Sequence, residues 1–288
     1  MLITGATGTV GGELLRQARG ATGGVRAYVR NAERADDLRG YDCEVVLGHL
    51  EDDHALRRAA EGVDTVFLLT PAAEGQAALE AGVIAAIADA APGAHVVKLA
   101  ALGWDAASPV RLLRSHAAGI ESLQSSGLPW TVLAPTGFQQ NIFGSVAAIT
   151  QRGELPVPGG SAGPGVAHVD VRDIAAAALL VLQEPSEHAG AAYELTGPAV
   201  LTWAEVAEIV GSAAGREVRA VDVSAEDFRA RMVSTGGSAW LAEGLLELYA
   251  GYRGGTAARL SPDLDTVLGR PPTSLAHTLA AYPALLRV

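Results

Sequence analysis

Three glycines at three-residue spacing, Gly5, Gly8 and Gly11, stand between a β-prone run, Met1-Leu2-Ile3-Thr4, and a helix-forming one, Gly12 to Ala18. Glycine at such positions permits a tight turn, lets the backbone approach a pyrophosphate, and allows the helix to pack on the strand. The helix N-terminus then offers unpaired N–H groups and a partial positive charge to the phosphate. In a chain with 34 glycines the spacing G-x-x-G-x-x-G gains its meaning from context. That context is a strand before it, a helix after it, and a charged residue at the right distance downstream. The charged residue is Arg30, 19 positions past Gly11, at the end of the alternating run Val25 to Arg30. An acidic residue there would bind a ribose 2′-hydroxyl. A guanidinium suits a 2′-phosphate through paired charge-assisted hydrogen bonds. The pattern therefore predicts NADP(H). Arg34, one helical turn further, is either a second contact to that phosphate or a solvated arginine.

Composition narrows the remaining chemistry. The chain has 288 residues, 49% hydrophobic and 18% charged, with a net charge of −11. That is a globular composition with no phosphate-binding surface for a nucleic acid. Cys43 is the only cysteine, so neither an intramolecular disulfide nor a Cys-rich metal site is available. His49, His54, His95, His168, His188 and His277 lack metal-ligand spacing, and no G-x-S-x-G elbow supports a hydrolase. The first strand begins at once, so no signal peptide is expected. The apolar stretch Ile174 to Leu182 is too short to span a bilayer. These features lead to the expectation of a cytoplasmic protein with a small-molecule substrate, no nucleic-acid or membrane partner and no metal; the oligomeric state is open.

Strands alternate with helices through residue 135. After the opening unit come strands at Val25–Arg30, Cys43–Gly48, Val63–Leu69, His95–Ala100 and Trp130–Pro135. Between them lie a helix capped by an Asp and running through Ala60, one over Glu74–Ala91, and one over Pro109–Ser126. Such alternation calls for a parallel, doubly wound sheet. Residues 151–165, rich in proline and glycine, read as a long loop. An Ala/Leu-rich helix after Asp173 and a strand at Ala192–Thr196 return to the sheet. Thr202 and Glu205 form a capping box for a helix over Trp203–Ala214. A strand over Val218–Val223 and helices after Ser224, around Ala239–Tyr252 and near Pro262–Leu268 follow. The expected architecture is an α/β, Rossmann-type doubly wound parallel sheet over 1–135, with 166–197 returning to it. A smaller C-terminal substrate lobe occupies most of 136–288, and the ligand cleft is expected between the two.

The motifs together resemble the NmrA-like branch of the atypical short-chain dehydrogenase/reductase family. They are Thr4 to Gly11, His116 with Glu121 to Thr131, Pro135 to Asn141, Val169 to Ala175, and Leu268-Gly269-Arg270-Pro271-Pro272. The resemblance spans almost the whole chain. It implies a Rossmann domain, NADP(H), and a substrate pocket beside the nicotinamide. It places Gly5, Thr7, Gly8, Val10 and Gly11 on the phosphates, Arg30 at the adenosine end, and Leu50 beside the adenine. Thr70, Pro71, Ala100, Pro135, Thr136 and Phe138 fall near the nicotinamide. His49 replaces an Asp often found after the third strand. The Tyr-x-x-x-Lys pair of ordinary short-chain reductases is absent: the only lysine is Lys98, and four residues before it stands Ala94.

His116 is the catalytic candidate, able to donate a hydrogen bond or supply a proton near neutral pH; the alternative is that it only orders its helix or the nicotinamide ribose. Without a dedicated acid, the acceptor should be one whose reduced form is already stable. Hydride transfer to a quinone leaves a phenolate, whose conjugate acid has a pKa of about 10 and is protonated by water. An unactivated ketone would give a far more basic alkoxide. The expected function is an NADPH-dependent reductase of a quinone or similarly conjugated molecule, with Gln139, Gln140 and Asn141 as candidate substrate contacts. Trp104, Trp240, Tyr249 and Phe143 are either apolar walls of that pocket or core. The alternatives are a non-catalytic NADP(H)-sensing regulator and a biosynthetic reductase of one aromatic intermediate.

Overall fold

The computed structural model describes residues 1–20, 23–38 and 40–286. In chain order the first elements are β1 (Leu2–Ile3), α1 (Thr9–Gln17), β2 (Arg26–Val29), α2 (Ala32–Asp36), β3 (Glu44–Leu47), α3 (Asp53–Ala60), β4 (Thr65–Leu68) and α4 (Gln76–Ala90). They continue with β5 (His95–Leu99), α5 (Arg111–Gln124), β6 (Trp130–Pro135), α6 (Val146–Arg152), β7 (Glu154–Pro158), α7 (Val171–Gln183) and β8 (Ala191–Leu195). Last come α8 (Trp203–Ala214), β9 (Arg219–Val223), α9 (Ala225–Ser234), α10 (Ala239–Arg253), α11 (Asp263–Leu268), α12 (Leu275–Ala280) and α13 (Pro283–Leu286).

Seven strands form one sheet in the order β3-β2-β1-β4-β5-β6-β8. Five of its pairings, from β3–β2 through β5–β6, are parallel. The chain therefore winds outward from β1 in one direction and, from β4, in the other. Ligands of such sheets bind at the C-terminal ends of the strands beside that reversal. β4 and β5 are buried at every residue, as strands covered on both faces must be. On one face Leu2, Val66, Leu68 and Val96 share a core with Leu56 of α3 and Val83, Ile84 and Ile87 of α4. α7 packs on β4, β5 and α1, and Gln17 Nε2 donates to the Arg172 carbonyl at 3.0 Å. The apolar run in α7 is explained by this burial: Ile174, Ala175, Ala177, Ala178 and Val181 have no exposed surface.

Contacts divide the chain into two compact units. One comprises Met1–Ala107, Leu113–Ala134 and Val171–Tyr193; the other comprises Ser108–Leu112, Pro135–Asp170 and the chain from Glu194 onward. The second unit has its own core, with Ile142, Ile149, Leu155, Val206, Val210, Leu275 and Leu279. Four of its helices start on side-chain caps: Thr202 and Glu205 form the full capping box of α8, and Ser224, Ser238 and Ser274 cap α9, α10 and α12.

Residues 151–165 differ from the expected continuous loop. They complete α6 and then form β7, which pairs in parallel with β9 from Glu154↔Arg219 to Pro158↔Val223. Pro156 and Pro158 gave the stretch its loop-like composition. Proline is tolerated at a sheet edge, and in a two-stranded sheet each strand has a free edge. Among the described residues no helix is long and apolar enough to cross a membrane.

Candidate active site

The glycine turn is built from the end of β1. The Thr4 hydroxyl lies 2.9 Å from the Leu69 carbonyl and accepts from the Leu69 N–H at 2.8 Å, joining the ends of β1 and β4. Gly5 then takes a left-handed φ of 64°, and its carbonyl accepts from Gly8 N–H at 2.9 Å. A Cβ on Gly11 would lie 2.2 Å from the Gly5 oxygen. Only glycine lets the first turn of α1 sit against this loop. α2 and α3 have side-chain caps, from Asn31 and Asp52, whereas α1 starts at Gly8 with none. The N–H groups of its first turn are thus left for a ligand, and they suit a pyrophosphate. Val10 is buried, so its backbone rather than its side chain faces such a group; Thr7 is partly exposed.

Arg30 is exposed at the end of β2, with no hydrogen-bond or ion-pair partner among the described residues. Arg34 donates from Nη2 to the Thr7 carbonyl at 3.0 Å and from Nε to Asp37 at 2.9 Å, which ties it to the glycine turn. Leu50 lines a cavity of about 230 Å³ with Glu51, Asp53, Leu56, Ala78, Leu79 and Gly82. The loop before it is held by the Tyr28 hydroxyl, which donates to the His49 carbonyl at 2.8 Å. Burial first, and then the nearby Asp52 carboxylate, push that hydroxyl's pKa up to about 12. It remains a neutral donor. His49 itself is exposed.

Thr70 and Ala100, past the ends of β4 and β5, are both 6% exposed, and Pro71 is exposed. The Thr70 hydroxyl is turned inward and donates to Glu80 Oε1 at 2.6 Å. Its side chain is engaged in the interior, which leaves its backbone for a ligand. His116, on α5, has an enclosed Nδ1 with no hydrogen-bond partner among the described residues. Burial and, secondarily, the charge of Lys98 lower its pKa to about 3. Of the two expected roles, this shift favours a neutral ring that donates a hydrogen bond over one that supplies a proton near neutral pH.

In the second unit Thr136 N–H donates to the Leu195 carbonyl at 3.0 Å, and its hydroxyl donates to the Ala167 carbonyl at 2.5 Å. Pro135 is buried; Phe138 is half-buried and bridges to Val169. Gln139 overturns its reading as a substrate contact. It is 1% exposed, its Nε2 donates to the His168 and Thr273 carbonyls at 2.9 and 3.0 Å, and its Oε1 accepts from Thr278. The amide is an internal strut, with both of its N–H donors committed to backbone carbonyls. Gln140 donates to Asp170 at 2.8 Å, while Asn141 is exposed. Of the four aromatic wall candidates, Tyr249 stacks on Trp203, Phe143 meets Tyr282 edge to face, Trp240 lies under Arg111, and Trp104 packs on Ala100, Ile120 and Val132.

His168, one of the histidines without metal-ligand spacing, is a structural residue. It packs edge to face on Trp203 at 5.2 Å, and burial lowers its pKa to about 4. No local pattern signals it, since its partner lies 35 residues away. Both histidines bind protons in the unfolded chain near pH 6.5 but in the folded protein only below about 3 and 4. His95 is shifted in the same direction by burial. Stability is then full above about pH 6.5 and falls as pH drops toward 4, because the unfolded state takes up more protons. Urea unfolding at pH 5 should show a loss of about 2–4 kcal/mol relative to pH 7. Equal stability at both pH values would contradict the neutral, buried state of these rings.

The NAD(P)H-binding family profile matches residues 5–185. The chain is 35% identical over 284 residues to an NAD(P)H azoreductase of Xenophilus azovorans, covering 99% of this chain and 98% of the relative. An NADPH-dependent quinone oxidoreductase of Escherichia coli, solved in complex with NADPH, superposes with a TM-score of 0.83 at 30% identity, covering 97% and 98% of the two chains. The NADP(H) complex of the Citrobacter sp. triphenylmethane reductase superposes with a TM-score of 0.83 at 26% identity, covering 97% and 99%.

Proposed function

Because the chain belongs to the NAD(P)H-binding, NmrA-like family of atypical short-chain reductases, we propose that it transfers hydride from NADPH to a quinone or similarly conjugated small molecule. The observation that carries this reading is the state of the groups able to protonate a product. Lys98 has no exposed surface and is paired with Glu80, Ala94 stands where a tyrosine would be needed, and the enclosed position of His116 disfavours its protonated form. A protein so equipped suits an acceptor whose reduced form is a weakly basic phenolate or a comparably delocalised anion. The named activities of its relatives, on azo compounds, quinones and triphenylmethane dyes, fit that class.

NADPH bound here supplies the hydride. The uncapped N-terminus of α1, with Gly5, Thr7, Gly8, Val10 and Gly11, holds the pyrophosphate, and Gly11, which has no room for a Cβ, keeps the helix close against the turn that does so. Arg30, with Arg34 beside it, takes the 2′-phosphate, and the cavity at Leu50 takes the adenine. Thr70, Pro71, Ala100 and His116 of the first unit orient the nicotinamide end, with His116 donating a neutral hydrogen bond to the cofactor or the acceptor oxygen. The assignment of Pro135, Thr136 and Phe138 rests on the family resemblance. Asn141 is retained as an acceptor contact, with Gln140 beside it. The solitary Cys43, with no intramolecular disulfide possible, fits a reducing cytoplasm.

If His116 acts as a neutral donor, kcat with a quinone is flat from about pH 5 to 8, since the ring changes protonation only near pH 3. A steady-state pH profile tests this. A tenfold fall per unit above pH 6.5 would identify an imidazolium acid and overturn the assignment. An unactivated ketone should show no turnover under the same conditions.

A further inference from the structure

The chain's only lysine, Lys98, lies within a strand that is buried at every residue. Lys98 Nζ, 0% exposed, lies 2.7 Å from both carboxylate oxygens of Glu80, itself 1% exposed. Glu80 Oε1 also accepts the Thr70 hydroxyl at 2.6 Å, and Gln76, one turn earlier on α4, donates to the same oxygen at 3.3 Å. On its other side the carboxylate touches α5. A Cβ on Gly119 would lie 1.7 Å from Glu80 Oε2 and 3.2 Å from Lys98 Cε. Gly119 is mid-helix, three residues after His116, where alanine would be the better helix former. The contact with Glu80 gives glycine a reason to be there.

We propose that Glu80 and Lys98 form a positioning pair that fixes the Thr70 loop and seats α5 through Gly119, so that the His116 ring is held in place at the nicotinamide end of the site. The inference rests on the reading above that Thr70 and His116 lie at that end. A buried ion pair is a poor device for stability alone, since two charges lose their hydration. Here one carboxylate organises two elements that carry candidate site residues. Lys98 also bears on the ring electrostatically: it is the charged group of β5 acting on His116, with Glu80 of α4 directly behind it, and its charge helps keep the imidazole neutral. Thr70 and His116 touch the reacting groups in this scheme; Glu80 and Lys98 act through them.

Two variants test the pair. Gly119→Ala leaves every charge in place but displaces the Glu80 carboxylate; E80Q/K98M removes both charges at nearly constant volume, which buried pairs commonly tolerate. In each, kcat for NADPH-driven quinone reduction should fall at least tenfold while the Kd for NADPH stays within threefold, with a folded circular-dichroism spectrum. In E80Q/K98M the acid limb of the kcat profile, set by His116, should also move to higher pH, a change that loss of packing would not produce. Folded variants with parental kcat and pH profile would overturn the proposal. If E80Q/K98M does not fold, Gly119→Ala decides alone: parental kcat with unchanged or raised Tm overturns it, and a tenfold loss with retained binding supports it. His116→Ala separates the two levels. If it lowers kcat while the pair variants do not, only the positioning role fails; if it leaves kcat unchanged, the placement of His116 fails and the inference with it.

Discussion

Gly11→Ala should abolish measurable NADPH binding, whereas Gly12→Ala, one residue on, should leave it within about threefold. The added methyl at position 11 would sit 2.2 Å from the Gly5 oxygen and 2.7 Å from its carbonyl carbon. Both are backbone atoms of the turn, so no side chain can move aside, and the first turn of α1 must shift away from the loop. Overpacking of this kind costs about 1–3 kcal/mol of stability, and it displaces the N–H groups proposed to hold the pyrophosphate. At Gly12 the nearest atom, the Ala6 oxygen, is 3.4 Å away, and alanine favours the helix by up to about 1 kcal/mol. Fluorescence titration with NADPH separates the two variants. Equal affinities would mean that the turn does not carry the phosphates.

Arg30→Ala should weaken NADPH binding by about 10- to 100-fold and leave NADH within about twofold. A charge-assisted hydrogen bond is worth about 1.5–3 kcal/mol, and each 1.4 kcal/mol is about tenfold in affinity. Only NADPH carries the 2′-phosphate. Arg30 is exposed and uncommitted to other groups, so its loss leaves no buried charge behind and folding should be unaffected. Arg34 is already held by Asp37, as an exposed pair that contributes little, and by the Thr7 carbonyl. Arg34→Ala should therefore show a smaller loss in the same direction. Equal loss of NADPH and NADH affinity in Arg30→Ala would refute the role given to it.

The elements that would hold the cofactor are legible because their signals are local. The strand–glycine–helix order, the Asp that caps α3 and the Thr202–Glu205 box each involve residues close in sequence, and the structure has each of them. Apolar runs such as Thr65 to Leu68 betray a doubly covered sheet by composition alone. The features that escaped depend on residues far apart. Gln139 looked like a polar group following a strand, but its partners are His168, Thr273 and Thr278. β7 read as loop because its partner, β9, lies some 60 residues on. The neutrality of His116 comes from tertiary burial and from Lys98, which no spacing rule connects to it. Lys98 itself is visible in sequence only as the absence of a Tyr/Lys pair; its bond to Glu80 joins residues 18 positions apart on successive elements.

Turnover of NADPH in the presence of a panel of quinones and azo dyes, followed by loss of its absorbance alongside a direct binding titration, tests the central claim most directly. The expected result is tight NADPH binding with catalytic oxidation driven by at least one conjugated acceptor and none by an unactivated ketone. Tight binding without turnover of any quinone, azo dye or enone would contradict it and leave a cofactor sensor as the reading of the same residues.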